Sequence, residues 1–202
     1  REVGQAAYGL LPVDSGEVSL PTHNVSIGNP YQALQNRVAY VPKDRDGEAL
    51  MMGASIQNNF CLPSVETLKG RFGFLSPKKL YQASSKAREQ FSVKSTGVDQ
   101  LMRALSGGNK QKVNLGRWLI KDLDVLIVDC PTRGVDIGVK AYIYQCLREA
   151  KEKGMAILLI TDELSEVLGM ADTIAVMKDG EICKLLPRSA ELSEETIIEV
   201  MT

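Results

Sequence analysis

The stretch from Leu105 to Asp136 constrains this chain more than any other, because it sets a glycine-rich turn, a helix, an apolar strand and an acidic turn in immediate succession. It opens as LSGGNKQK and closes as VLIVDCPTRGVD. Ser106, Gly107 and Gly108 run into a helix predicted to begin near Asn109. The first N–H groups of a helix lack intrahelical acceptors and sit at its positive end, so such a turn is an anion site. Val125 to Val128 is a continuous apolar run, the pattern of a strand buried on both faces of a parallel sheet. Asp129 then falls at the strand's carboxyl end, where open α/β sheets present their ligand groups, and a carboxylate there suits a magnesium ion. Taken singly, each half also describes an ordinary capped turn or an ordinary strand. The two halves separated by one helix are far more specific.

This combination resembles the signature motif and Walker B strand of ABC-type ATPases. Pro131-Thr132-Arg133-Gly134-Val135-Asp136 is similar to the form found in the second nucleotide-binding half of the ATP-binding subunit of bacterial sugar importers, the ribose, galactose and xylose type. The resemblance covers essentially the whole chain. It implies an α/β fold, a truncated P-loop NTPase domain with a parallel sheet core (1–50 and 121–202) and an inserted helical subdomain (51–120) that carries the signature motif. It further implies ATP and Mg²⁺ as cofactors, transmembrane permease subunits and the other nucleotide-binding half as partners, and a cytoplasmic place on the inner face of the cell membrane. By the same resemblance, Ser106, Gly107 and Gly108 contact nucleotide in trans, across a head-to-tail pair. Asp129 holds magnesium through water, Asp136 belongs to the D-loop, and Lys43 stands at the Q-loop position.

Composition is compatible with this and narrows little else. The chain has 202 residues, 44 % of them hydrophobic, and a formal net charge of −1, enough for a real core and without the basic stripe that nucleic acid demands. No apolar run approaches a membrane span and no signal-peptide pattern opens the chain. Cys61, Cys130, Cys146 and Cys183 are widely spaced and His23 is the one histidine, which argues against zinc and against a disulfide framework.

Along the chain, residues 1–9 read as a helix already under way, with Ala6, Ala7 and Leu10 available for packing. The resemblance makes this the helix that follows the P-loop, yet G-x-x-x-x-G-K-[ST] occurs nowhere in the sequence. Glu17 to Leu20 reads as a short strand, Asn29-Pro30 opens a capped helix, and Arg37 to Val41 forms a strand ending in the charged run Pro42-Lys43-Asp44-Arg45. From Met51 to Arg103 apolar residues recur at helical spacing. Ser76-Pro77 starts a helix with a thin apolar face, while Phe60, Leu62, Phe72, Phe74 and Leu75 read as a satellite core beside a surface that the family docks on its transmembrane subunit. Trp118 reads as core. Ile137 to Lys153 forms a helix, Met155 to Ile160 an unbroken apolar strand, and Asp179-Gly180 the turn of a hairpin between 173–177 and 181–186. Ser193 caps a last helix.

The chain departs from the family pattern at three positions. Cys130 stands where a Glu polarises the attacking water, and a thiol accepts hydrogen bonds weakly. Asp162 stands at the position of the switch His, where a carboxylate close to a γ-phosphate adds like-charge repulsion; its alternative reading is an N-cap for a helix from Glu163 to Met170. Lys43 replaces a Gln, and an ammonium can neither accept a hydrogen bond nor ligate magnesium. Two functions remain open on sequence grounds: a low-turnover half of a sugar-importer ATPase, and a non-catalytic docking half. Because P-loop amides and Lys supply most phosphate contacts in this class, this 202-residue chain is expected to bind ATP with a Kd weaker than about 1 mM. Titration calorimetry checks this, and micromolar affinity would contradict it.

Overall fold

The computed structural model describes residues 1–20, 23–189 and 192–201, and the chain forms two compact units, 1–158 and 159–202. In the first, helix α1 (Glu2–Ala7) is followed by a two-stranded antiparallel ribbon, β1 (Ser19–Leu20) and β2 (Val25–Ser26). The predicted strand from Glu17 is thus only its last two residues. Helix α2 (Pro30–Gln35) starts as the sequence predicts, with the Asn29 side chain accepting from Gln32 N–H at 2.9 Å and Pro30 in the first turn.

Strand β3 (Val38–Val41) is buried at all four positions, and it pairs in parallel with β4 (Val125–Asp129), Val38 opposite Val125 and Val41 opposite Val128. Parallel pairing leaves no polar face, which is why both segments are unbroken apolar runs. Between them in sequence lie the short helices α3 (Ile56–Cys61) and α4 (Val65–Leu68), then α5 (Pro77–Gln90) and α6 (Gly107–Leu119). Ile56 and Phe60 of α3, Ala87 and Phe91 beside α5, Met102, and Val113 of α6 share one buried cluster, so these helices have a core of their own. Phe60 and Phe91 stack with ring centroids 6.4 Å apart.

Three expectations are corrected here. Phe60 is core, but Phe72 and Phe74 are 83 % and 77 % exposed, and Leu62 and Leu75 are exposed too. The turn at Arg71–Gly73, with Phe72 at φ +70°, directs these side chains away from the cluster. Leu10 is likewise exposed, because it follows its helix and lies past the buried face. Strand β5 (Ala156–Ile160) completes the sheet order β3-β4-β5 and is exposed at Ala156 and Leu158, where the unbroken apolar run predicts burial. It is an edge strand of the described sheet, so one of its sides lacks a neighbour.

Helix α7 (Ile137–Glu152) precedes β5 and buries Ile143, Leu147 and Ala150, on the face its periodicity predicts; Gly154, at φ +93°, ends it in the left-handed conformation only glycine takes at little cost. In the second unit, α8 (Leu164–Met170), β6 (Thr173–Lys178), β7 (Glu181–Pro187) and α9 (Glu194–Met201) enclose a small core of Ile174, Val176, Leu186 and Ile197. The β6–β7 turn has Asp179 and Gly180 both at positive φ, as a tight hairpin requires. Ser193 Oγ accepts from Thr196 N–H at 3.3 Å, the predicted cap.

Two helical glycines separate packing from propensity. A Cβ on Gly116 would stand 2.6 Å from Cδ2 of buried Phe91, whereas one on Gly169 would meet nothing within 4 Å. Gly116→Ala is expected to destabilise by ~1–2 kcal/mol, overpacking outweighing a propensity gain of under ~1 kcal/mol, while Gly169→Ala stabilises by up to ~1 kcal/mol. Urea unfolding of the two variants checks the opposite signs.

Candidate functional site

Helix α6 begins at Gly107, two residues earlier than its sequence suggests, with Ser106 as its N-cap. Ser106 makes no side-chain cap bond; its Oγ accepts instead from Asn109 Nδ2 at 2.9 Å, and Asn109 Oδ1 accepts from Lys94 N–H at 2.8 Å. The side chain that ordinarily satisfies the first-turn amides is thereby turned to a neighbour. Ser106 is exposed and Gly107 and Gly108 are half-buried, so the turn presents polar backbone to the outside at the positive end of a 13-residue helix.

Both glycines are read by what crowds them. A Cβ on Gly108 would stand 2.7 Å from Val139 Cγ2 and 3.6 Å from Asp136 Oδ2. One on Gly107 would lie 3.6 Å from Arg45 Nη2 and from the Gly134 carbonyl. The structure therefore brings Asp136 beside Gly108, where its Oδ1 also caps α7 by accepting from Val139 N–H at 3.0 Å. Gln111, buried on α6, donates to the Pro131 carbonyl at 2.6 Å and ties the same turn to the helix.

Asp129 ends β4 and is only 2 % exposed. Tyr40 of β3 donates its hydroxyl to Asp129 Oδ2 at 3.3 Å. Burial and then the Asp129 carboxylate push the Tyr40 phenol well above its ordinary pKa, so it remains a donor. Cys130 follows, buried, with φ +46°, a left-handed conformation unusual outside glycine. Its carbonyl accepts from Arg133 N–H at 3.1 Å and closes the turn into Pro131–Asp136. Among the described residues no group of three or more His, Cys, Asp or Glu could hold a metal ion. A single buried carboxylate at a strand end fits magnesium, which keeps several waters and takes substrate phosphates as further ligands.

Lys43 is half-buried just past β3. Asp44 Oδ1 accepts from Gly47 N–H at 2.9 Å and starts a five-residue π turn, Arg45–Ala49, in which Leu50 N–H reaches back to the Arg45 carbonyl at 2.9 Å. Sequence reasoning read this run as a charged loop. A cleft of about 500 Å³ opens nearby, lined among others by Tyr8, Tyr40, Pro42, Glu48, Arg117 and Trp118. Arg117 is 5 % exposed, and burial lowers its pKa to about 10.

Asp162 lies in the second unit and is exposed. It is not the cap residue of α8, which corrects that reading: the helix starts at Leu164, Glu163 takes the cap position and makes no side-chain cap bond, and Thr161 Oγ1 accepts from Glu163 N–H at 3.1 Å. Sequence reasoning also missed Tyr40 and Gln111, since a Tyr in an apolar strand and a Gln in a helix carry no local mark of their partners.

A parallel sheet whose strand ends carry Asp129 and Lys43, with a glycine-led helix beside them, is the architecture of an ATP-binding cassette. Solved structures have the same fold: a nucleotide-free ATP-binding cassette from an ABC transporter superposes with a TM-score of 0.78 over 98 % of this chain and 81 % of that one, at 21 % identity. A dimeric cassette in a post-hydrolysis state, bound to ADP and Pi, gives 0.79 over 94 % and 80 %, at 18 % identity. The chain belongs to the ABC transporter family, whose profile matches residues 4–133. The ribose import ATP-binding protein RbsA of Lactococcus lactis subsp. lactis is 37 % identical over 201 residues, 100 % of this chain and 40 % of that protein. A protein of Agrobacterium fabrum named for ribose/galactose/methyl galactoside import is 38 % identical over 203 residues, with the same coverage. The chain thus spans 40 % of the length of these relatives.

The crowding around the signature turn has a measurable consequence. Gly108→Ala, which drives a Cβ into Val139, is expected to cost ~1–3 kcal/mol, whereas Gly107→Ala, whose new contacts are ordinary at 3.6 Å, should stay within ~0.5 kcal/mol. Chemical denaturation of both variants checks the difference.

Proposed function

We propose that this chain is the second nucleotide-binding half of the ATP-binding subunit of a bacterial sugar importer, and that its own site turns over slowly. The observation that carries the reading is the juxtaposition of the Ser106-Gly107-Gly108 turn with Asp136 and, through Gln111, with the turn that follows Asp129 and Cys130. Relatives named for ribose and galactose import that match along the entire chain support the sugar class.

In this reading Ser106 and the amides of Gly107 and Gly108 clamp the γ-phosphate of ATP held by the opposite half. The clamp needs no side-chain charge, because first-turn amides and the dipole of α6 favour an anion. Asp129 would hold magnesium through water, with the Tyr40 hydroxyl keeping one carboxylate oxygen in place. Magnesium, when bound, neutralises charge on the phosphate oxygens. Cys130, at the position of the water-polarising Glu, gives the attacking water only a weak acceptor. Lys43 carries the coupling role of its loop but not the catalytic one, and Asp162, at the switch position, supplies a carboxylate in place of an imidazole.

The exposed Leu62, Phe72, Phe74 and Tyr81 support a partner on the helical region, which we assign to the transmembrane permease, so that the subunit sits on the cytoplasmic face of the membrane. The division into a core (1–50 and 121–202) and a helical subdomain (51–120) belongs to the same proposal. No described helix is long and apolar enough to cross a membrane. The same patch, together with Cys130, favours the second reading, a docking half without turnover.

Turnover separates the two. Positioned general bases contribute on the order of 10² to 10⁴ in rate, so Cys130→Glu in the intact subunit, its other site inactivated, is expected to raise ATP hydrolysis by at least about tenfold, and further with Asp162→His. Should the unmodified site already hydrolyse ATP within about threefold of the double variant, a margin well inside that range, Cys130 is not the lesion. Should neither form bind ATP, the docking reading holds.

A further inference from the structure

The loop after Lys43 and the first turn of α6 are joined by charge as well as by packing. Arg45 Nη1 donates to the Gly107 carbonyl at 3.3 Å, and Arg45 Nε donates to Asp46 Oδ1 at 2.9 Å. Lys110 Nζ, on α6, donates to the other oxygen, Asp46 Oδ2, at 2.8 Å. One carboxylate therefore bridges a guanidinium of the loop and an ammonium of the helix, across 64 residues of sequence.

Ion pairs in open solvent hold little, but two of these three partners are largely covered: the Lys110 side chain is 13 % exposed and that of Arg45 20 %. Burial raises the Asp46 pKa, yet the hydrogen bonds from Lys110 and Arg45 outweigh it and leave the carboxyl below its ordinary value, ionised at neutral pH. The π turn adds rigidity, with Asp44 bonded across its start and Leu50 across its end. The turn therefore links the loop that follows Lys43 to the helix end that carries Gly107.

We infer that Asp46, held by Arg45 and Lys110, is a positioning residue that sets the Ser106-Gly107-Gly108 turn against the loop that begins at Lys43. It touches no nucleotide. It acts through Lys110 and the Gly107 carbonyl on the amides that meet the γ-phosphate, and so rests on the reading of that turn as a phosphate clamp. Its loss leaves the sheet and the magnesium side of the site intact.

The experiment uses the intact subunit with both halves, and measures kcat, KM for ATP, and affinity for ADP. Asp46→Asn and Lys110→Met are each expected to lower kcat by about three- to thirtyfold, the range of coupling between linked elements, while ADP affinity is unchanged because ADP lacks the γ-phosphate. The double variant should be no worse than the more affected single one, since both break one bridge. Lys110→Arg should recover most of the rate. Additive effects, equal weakening of ADP and ATP, or an unchanged kcat would each overturn the latch. Ser106→Asp, at an exposed cap position that tolerates a carboxylate, separates this from the underlying reading: if it leaves turnover intact, the clamp itself is wrong, and if it abolishes turnover while the Asp46 and Lys110 variants do not, only the latch is wrong.

Discussion

The amide of Gln111, buried within α6, donates to the Pro131 carbonyl at 2.6 Å, and the geometry of the site depends on that bond. A buried amide left without an acceptor costs on the order of 1–3 kcal/mol, so the turn after β4 cannot drift from the helix without a penalty that is large beside ordinary domain stability. With Pro131 tied down, Gly134 and Asp136 come to rest against Gly107 and Gly108. Asp136 then serves twice, as the cap of α7 and as the neighbour of the signature turn. Any Cβ at Gly108 would press on Val139 and open this contact, which gives the second glycine of the motif a packing reason as well as a chemical one.

A second pairing, Tyr40 with Asp129, joins the two parallel strands at the end where ligands bind. The tyrosine ring lies 5.8 Å from that of Tyr8, the residue that ends α1, and its hydroxyl reaches the carboxylate. Cys130 comes one residue later in a left-handed conformation. Backbone strain of this kind persists where surrounding bonds over-determine it, and here the Arg133 N–H and the Gln111 amide hold the turn from both sides. The backbone of this turn is thus fixed from both sides, while the side chain at Cys130 is a thiol, a weak hydrogen-bond acceptor. This is the physical basis for proposing a site that binds and hydrolyses poorly.

Much of the fold was legible because the signals were local. Asn29-Pro30 announced α2, the apolar runs announced β3 and β4, and Asp179-Gly180 announced the hairpin of β6 and β7. Local signals failed where a partner lay far off in sequence. Phe72 and Phe74 read as core because phenylalanine usually is, but the backbone at Phe72 turns them outward. Asp162 reads as a cap, but α8 starts one residue later and Glu163 takes that position. Strand β5 carries the composition of a central strand and stands at an edge.

What the amino-acid sequence determined by itself was the order of elements and the chemical types they carry: a glycine-led helix, a strand ending in Asp129, and a Cys directly after it. These follow from propensity, periodicity and functional-group chemistry, which act over a few residues. Only the tertiary structure decided which groups meet. Gln111 with Pro131, Tyr40 with Asp129, and Asp46 with Lys110 are separated by 20, 89 and 64 residues. Their pairing is set by how the helices pack on the sheet, and no periodicity within either partner's own segment encodes it.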